Sequence, residues 1–456
     1  MPGGGCACAR DNNSQRYKMP KEEDTTGSRF VPVEKTLLHT SDDKRQIAID
    51  RCDSYTEAIR DYLDARDQIP CGLTMVEELA EGKARVLEAL GGTEEQWGDW
   101  HWQMRHNITD VDVLGRIIDL TDEERAAIEG TEGTYRWGIS PYYASLMDRT
   151  DPSCPVRLQA VPSGLEMTDA TVETDPETVL YNSPAPLITR LYPDRLIINV
   201  TNACTMFCRH CLRRRHIAFE NVVYAKSDVK LALQYVREHE EIRDVLITGG
   251  DAFCLSDDRL DWILGELDAI PHVEIKRLGT RTLAVQPLRV TKELCDMLAG
   301  HSPLYLNTQF NHPKEITVEA REAADMLTRA GVVLGNQAVL LRGINTDRHV
   351  MKKLMQDLLQ IKVRPYYIFN CKKLEGIRHF RPSIEDGMNV MEYLRNYTSG
   401  LAVPTYICTL PNGRGKTPVM PTYLLNPNAN GKARFRSWQG YIVDYDDEKW
   451  DPELGK

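Results

Sequence analysis

The stretch Arg195-Leu-Ile-Ile-Asn-Val200-Thr-Asn-Ala-Cys204-Thr-Met-Phe-Cys208-Arg-His-Cys211-Leu-Arg213 joins a short β-branched run to three cysteines spaced C-x3-C-x2-C. Thiolates this close can hold three irons of a four-iron cluster and leave the fourth open to a small molecule. A zinc site is the rival, with His210 as the nearest fourth ligand. Adjacent His210 and Cys211 chelate one ion with difficulty, however, and no second C-x2-C pair accompanies them. Cysteines that only fill a core fit poorly, because Arg209 and His210 lie between them. An open iron points to chemistry rather than electron storage.

Beyond this run, short β-rich segments alternate with helical patterns. The strands are expected at 195–200, 244–248, 273–278, 304–308, 332–341 and 364–370, with segments such as 228–240 and 317–330 as intervening helices. Six such units imply parallel strands with helical crossovers, either as a partial barrel or as a doubly wound sheet. Both architectures gather functional groups at the C-terminal strand ends. The cysteine run, Gly249-Gly250-Asp251, Gln309, Arg342-Gly343 and residues 370–372 all fall at such ends.

The remaining segments are read as a flexible arm (1–40), a helical region (41–150), a connecting stretch (151–190), the barrel (191–425) and a tail (426–456). Thr121-Asp-Glu-Glu124 has the form of a capping box, and Ser140-Pro141 that of an N-cap followed by proline. Trp97, Trp100 and Trp102 are expected to pack a core or an interface. A net charge of −11 argues against nucleic acid as the main partner. The basic cluster at 213–216 touches the cysteine motif, which suggests a substrate or cofactor contact. No apolar run approaches the ~18 residues that span a bilayer. Twelve cysteines in a chain of 456 residues, without a signal peptide, suggest a metal site in the reducing cytoplasm rather than a disulfide framework. Cys6 and Cys8 are assigned no role.

Two further elements could carry chemistry. Gly249-Gly250-Asp251 follows an apolar run; its glycines allow a backbone to approach a ligand, here the ammonium group of an amino acid. Lys416 lies in a Gly-rich loop, Pro411-Asn-Gly-Arg-Gly-Lys416, after the apolar run 403–407. A Schiff-base lysine must lose its proton readily, which burial and a neighbouring cation such as Arg414 favour. Most lysines in such loops are simply solvated.

Assembled, these residues make the chain resemble the lysine 2,3-aminomutase family of radical S-adenosylmethionine (SAM) enzymes. The likeness runs from about Trp97 to Leu425. It includes Trp-Gly-Asp-Trp-His-Trp-Gln103, Ser-Pro-Tyr-Tyr-Ala-Ser-Leu-Met-Asp148, Tyr-Pro-Asp-Arg195, the cysteine run and Gly-Gly-Asp251. It continues through Phe-Asn-His-Pro313, Leu-Gly-Asn-Gln337, Leu-Leu-Arg-Gly343, Arg-Pro-Tyr-Tyr367 and Gly-Lys-Thr-Pro-Val-Met-Pro421. The resemblance implies a (β/α)6 partial barrel with a [4Fe–4S] cluster on Cys204, Cys208 and Cys211, SAM on its open iron, and pyridoxal phosphate (PLP) on Lys416. It implies that Arg195 and Gln337 hold PLP and that Arg213 grips the substrate α-carboxylate. His210, Gly249, Gly250 and Asp251 fall on the SAM side. The implied reaction moves an amino group from Cα to Cβ after SAM yields a hydrogen-abstracting radical. A reductant such as flavodoxin or ferredoxin and a homodimeric or higher assembly follow from the same likeness.

Departures from the family pattern point to the substrate. Lysine-using members recognise the distal ammonium with two aspartates; those positions here are Lys372 and Thr409. A lysine substrate would meet a like charge, whereas a distal carboxylate would meet a cation and a hydroxyl donor. The expected substrate is therefore glutamate in preference to aspartate. A solvated Lys372, with Lys373 beside it, is the bland alternative. No cysteine follows Met420, so the structural zinc of lysine-using relatives is not expected. The alternatives are the same cofactors acting on lysine, aspartate or another polar amino acid, a different outcome such as decarboxylation or deamination, and a non-catalytic electron-transfer protein.

Overall fold

Six strands repeat one burial pattern, with buried apolar residues on one face and half-buried or exposed residues on the other. In β2 (Arg195–Thr201), Leu196, Ile198 and Val200 are buried, while Arg195, Ile197 and Asn199 alternate with them. The same alternation runs through β3 (Asp244–Gly249), β4 (Ile275–Gly279), β5 (Leu304–Thr308), β6 (Val332–Leu340) and β7 (Arg364–Asn370). A period of two sends alternate side chains to opposite faces of a sheet. The buried set packs in one hydrophobic core with Val229, Leu233, Leu260, Leu264 and Leu298 from intervening helices such as Lys226–Glu238, Asp257–Asp268 and Lys292–Ala299. The other set, with Arg195, Arg277 and Gln337, lines cavities on the inner face.

A nine-stranded sheet runs in strict chain order from β1 (Ile188–Thr189) to β9 (Lys416–Pro418). Strands β2 to β8 (Thr405–Thr409) are parallel, and β1 and β9 close the two edges antiparallel. The six expected strands all form, and β8 extends the parallel set by one. Residues of β2, β3, β4, β7 and β9 line one cavity, so the sheet curls until its ends face each other. The Lys416 amide donates to the Tyr192 hydroxyl, just before β2, at 2.9 Å. β1 and β9 share no ladder. The architecture is an open α/β barrel, as expected.

This computed structural model describes residues 42–169, 179–214, 217, 220–427 and 431–447. The expected N-terminal arm, Cys6, Cys8, and Arg215 and His216 of the basic cluster lie outside the described residues. The chain divides into two compact units, residues 1–60 and 61–456. Helix Asp42–Glu57 belongs to the first. In the second, the capping box at Thr121 forms, with Glu124 N to Thr121 Oγ1 at 3.1 Å and Thr121 N to Glu124 Oε2 at 2.9 Å. Ser140 caps the helix Pro141–Ser145 through the Tyr143 amide. Trp97 and Trp102 are buried in the core, while Trp100 lies beneath the Arg289 guanidinium. Among the described residues of the C-terminal part, β10 (Leu424–Asn426), β11 (Lys432–Arg436) and β12 (Ile442–Asp446) form a separate antiparallel sheet. Among the described residues no helix is long and apolar enough to cross a membrane.

Candidate active site

A cavity of about 240 Å³ opens inside the C-terminal end of the barrel. Cys204, Cys208 and Cys211 line it with His210, Arg213, Thr248, Gly249, Gly250, Asp251, Gln309 and Gln337. The loop after β2 and the end of β3 thus bring together the residues assigned to the cluster and SAM. Among the described residues no three metal-binding side chains converge tightly enough for a single ion. The three thiols border one cavity, an arrangement that fits a multi-iron cluster. Cys211 Sγ accepts the Arg213 amide at 3.3 Å, and Cys208 Sγ accepts from Arg281. Such donors to sulfur are the surroundings a thiolate-bound cluster requires. Burial, reinforced by Cys254, Asp251 and the other two thiols, pushes the Cys204 pKa well up. Loading iron there must therefore release protons.

The glycines at the end of β3 also answer a packing constraint. A Cβ on Gly249 would lie 2.1 Å from the Thr201 carbonyl oxygen, and one on Gly250 would lie 2.2 Å from that of Ala203. Gly249 also has a φ of +139°. These glycines let the end of β3 pack directly on the backbone that leads into the cysteines. Asp251 is similarly committed, its carboxylate accepting the Phe253 amide at 2.9 Å and the Arg281 amide at 2.8 Å. It organises the turns around the cavity, a task unforeseen in the ligand-facing role expected of it.

His210 is buried, and its Nε2 lies 3.1 Å from Gln309 Nε2 and 3.3 Å from Asn311 Nδ2. Burial first, then the Arg281 and Arg214 charges, hold its pKa well below the usual value, so the imidazole is neutral. Buried polar atoms of Thr205, His210, Asn307 and Thr308, all residues lining this cavity, have no protein partner among the described residues. Orphaned groups on a cavity wall fit a polar ligand such as SAM. Arg213 reaches into the same space, donating to the Gly249 carbonyl at 2.7 Å and to Thr248 Oγ1 at 3.3 Å.

A smaller cavity of about 60 Å³ adjoins through Leu246 and is lined by Tyr192, Arg195, Arg277, Tyr366, Tyr367 and Lys416. Two guanidinium groups and phenol hydroxyls suit a phosphate. Arg195 lies 4.1 Å from the Tyr192 ring centroid, and Arg277 is anchored to Asp244 at 2.7 Å. Lys416 Nζ sits 5.4 Å from the Tyr367 ring and 5.2 Å from the Phe369 ring. Two guanidinium groups and a lysine amine have the chemistry that PLP, with its phosphate and its carbonyl, would need. Lys416 is exposed rather than buried, and Arg414 is exposed in the loop before it. Gln337 lines the larger cavity, apart from Arg195.

Lys372 and Thr409 line neither cavity. They lie at the C-terminal ends of the adjoining strands β7 and β8, and Thr409 pairs in register with Lys416. Lys372 is half-buried while Lys373 is exposed, contrary to a shared solvated stretch.

Four contributors escaped the sequence reading. Arg277 and Tyr192 flank positions already singled out, and Arg281 lies two residues past the C-terminal end of β4 in Gly279-Thr-Arg281. Inward register marks Arg277; the end of β4 marks Arg281. The fourth is Glu166, in the stretch read as a connector. Its buried carboxylate accepts from Arg209 at 2.9 and 2.6 Å and from Arg214, while Arg214 also donates to the Gly376 carbonyl at 2.8 Å. The cysteine loop is thereby tied to the loop that follows β7.

The chain has recognisable relatives. A family description, Lysine-2,3-aminomutase, matches residues 391–452. Glutamate 2,3-aminomutase of Clostridioides difficile (strain 630) is 49% identical over 406 residues, covering 89% of this chain and 96% of that one. L-lysine 2,3-aminomutase of Acetoanaerobium sticklandii is 45% identical over 78% of this chain and 86% of its own. That of Clostridium subterminale is 44% identical over 77% and 85%. A solved radical SAM methyltransferase from Sphaerobacter thermophilus aligns over 49% of this chain and 68% of its own, at 15% identity and a TM-score of 0.36, too distant to bear on function. Near-full-length identity to curated aminomutases, on a barrel with the cysteine loop and the lysine facing its interior, establishes that the chain belongs to the lysine 2,3-aminomutase family.

Proposed function

We propose that this protein is a glutamate 2,3-aminomutase, an isomerase that converts L-glutamate to β-glutamate. The observation that carries the substrate assignment is the placement of half-buried Lys372 and Thr409 at neighbouring strand ends, with Thr409 in register with Lys416. Adjacent strands lie about 4.8 Å apart, so a substrate held near Lys416 extends toward both residues. A cation and a hydroxyl there suit a γ-carboxylate and repel an ammonium. Glutamate is also the substrate named for the relative at 49% identity.

When bound, the [4Fe–4S] cluster, SAM and PLP supply the radical that abstracts hydrogen and the carbonyl that carries the migrating nitrogen. The protein's residues do the holding. Cys204, Cys208 and Cys211 ligate the cluster, and the cavity wall from Gly249 to Asp251 with His210 receives SAM. Arg195 and Arg277 grip the PLP phosphate, and Gln337 orients the ring from the larger cavity. Lys416 would hold PLP through its carbonyl, and its free Nζ could carry a proton. Arg213 pairs with the α-carboxylate in a bidentate fashion, while Lys372 and Thr409 fix the other end. Clamped at both ends, the substrate presents one Cβ hydrogen to the cluster side. Tyr367 and Phe369 line the approach to Lys416 with aromatic surface.

The reaction requires an external reductant. A flavodoxin or ferredoxin suits the role, in a cytoplasmic homodimer without the C-terminal zinc of lysine-using relatives.

Exchange of both recognition residues, Lys372→Asp with Thr409→Asp, tests the substrate. Glutamate turnover should fall and lysine turnover should appear. Unchanged glutamate turnover in that variant would remove these residues from recognition.

A further inference from the structure

Arg281 lies two residues past the end of β4 and is 7% exposed. Its guanidinium donates to Cys208 Sγ at 2.7 Å, to Gln159 Oε1 at 2.6 Å and to Glu315 Oε1 at 2.8 Å. Its backbone amide is held by Asp251 at 2.8 Å. Glu315 is wholly buried and accepts in addition from the Tyr143 hydroxyl at 2.7 Å, Gln159 Nε2 at 3.1 Å and the amides of Asn311 and His312 at 2.6 and 3.1 Å. The guanidinium therefore cannot swing away. One edge is pinned to an anchored carboxylate and the other is aimed at a cysteine sulfur. None of this is needed to bind substrate, SAM or PLP as described above.

We propose that Arg281 sets the reduction potential of the iron–sulfur cluster by acting through Cys208. The proposal rests on the reading that Cys204, Cys208 and Cys211 hold a [4Fe–4S] cluster. In the step concerned, a low-potential one-electron donor loses an electron and the cluster passes from 2+ to 1+. No bond or proton changes at Arg281. A fixed cation hydrogen-bonded to a ligand sulfur favours the state with the additional negative charge and so raises the potential. Glu315 is the opposing charge, one residue further out. Removing each partner should move the potential in opposite directions, a signature that packing alone would not produce.

The test uses full-length protein reconstituted anaerobically as wild type, Arg281→Met, Arg281→Lys and Glu315→Gln. Iron and sulfide are counted per chain, and the reduced cluster is followed by electron paramagnetic resonance in a potentiometric titration. With full iron loading, Arg281→Met should lower the reduced-to-oxidised ratio at the wild-type midpoint at least threefold. Arg281→Lys should lie between it and wild type, and Glu315→Gln should raise the ratio. Full loading with an unchanged midpoint in Arg281→Met would overturn the proposal. So would loss of iron from that variant when it is folded, because Arg281 would then serve assembly. Should Arg281→Met not fold, Glu315→Gln decides: a lower or unchanged ratio overturns the inference. A wild-type protein that takes up no iron would instead refute the cluster assignment on which the proposal rests.

Discussion

Thr409 and Lys416 are register partners across the β8–β9 hairpin, so one turn positions both a proposed substrate contact and the proposed PLP lysine. The turn depends on Gly415, which has a φ of +80° and whose Cβ, if present, would lie 3.2 Å from the Tyr192 hydroxyl. The Lys416 amide bonds to that same hydroxyl.

Gly415→Ala should therefore cost about 1–2 kcal/mol through the left-handed backbone alone. It should also weaken PLP binding several-fold while leaving iron content unchanged. Thermal unfolding and a PLP absorbance titration measure the two effects.

The smaller cavity should behave as a phosphate cradle. Arg277→Met removes one of its two inward-facing guanidinium groups and should weaken PLP binding by about 1.5–3 kcal/mol, the worth of a charge-assisted hydrogen bond. Lys416→Ala should abolish the visible absorbance of lysine-linked PLP and all turnover. Both variants should bind iron normally, because neither residue lines the cavity of the three cysteines. An unaltered PLP affinity in Arg277→Met would disqualify the cradle.

Glu166 gives the cysteine loop a pH dependence. Burial alone would raise its pKa, but Arg209 and then Arg214 more than reverse that and hold the carboxyl below its ordinary value. A carboxylate with a depressed folded pKa contributes stability above the unfolded value of about 4.3, and that contribution is lost as pH falls through the folded pKa. At neutral pH, Glu166→Gln should destabilise the protein by about 3–5 kcal/mol, because two buried guanidinium groups lose their counterion. The variant should show a flatter stability profile than wild type below about pH 4.3. Denaturant melts at pH 7 and below pH 4.3 compare the two.

The barrel and the cysteines were legible in the sequence for local reasons. Each strand from β2 to β7 is a short apolar run bounded by polar turns, and the three cysteines lie within eight residues, positions 204 to 211. The run at 403–407 was noticed, but a hairpin rather than a helix follows it, so the alternation that marked the other strands was missing. Strands β10 to β12 are exposed almost throughout, and without a buried face they leave little periodicity to read. Arg281 and Glu166 were hidden for a different reason. Arg281 meets Cys208 across 73 residues, and Glu166 meets Arg209 across 43. A lone charged residue reads as solvated until the fold shows it buried against a partner. The glycines at 249 and 250 line the cavity of the cysteines, and the packing of β3 on the cysteine loop, invisible in the sequence, explains why no side chain fits there.

Lys372 and Thr409 were found by the loss of two acidic residues, and the fold adds their position at adjoining strand ends. They carry the weight of the substrate claim, because every other residue of the site would serve lysine equally well. The direct measurement is product analysis of the protein reconstituted anaerobically with iron, sulfide, PLP and SAM, reduced, and supplied separately with L-glutamate, L-aspartate, L-lysine and L-alanine. The account predicts β-glutamate from glutamate and no β-lysine from lysine. β-Lysine formation without any conversion of glutamate would contradict it.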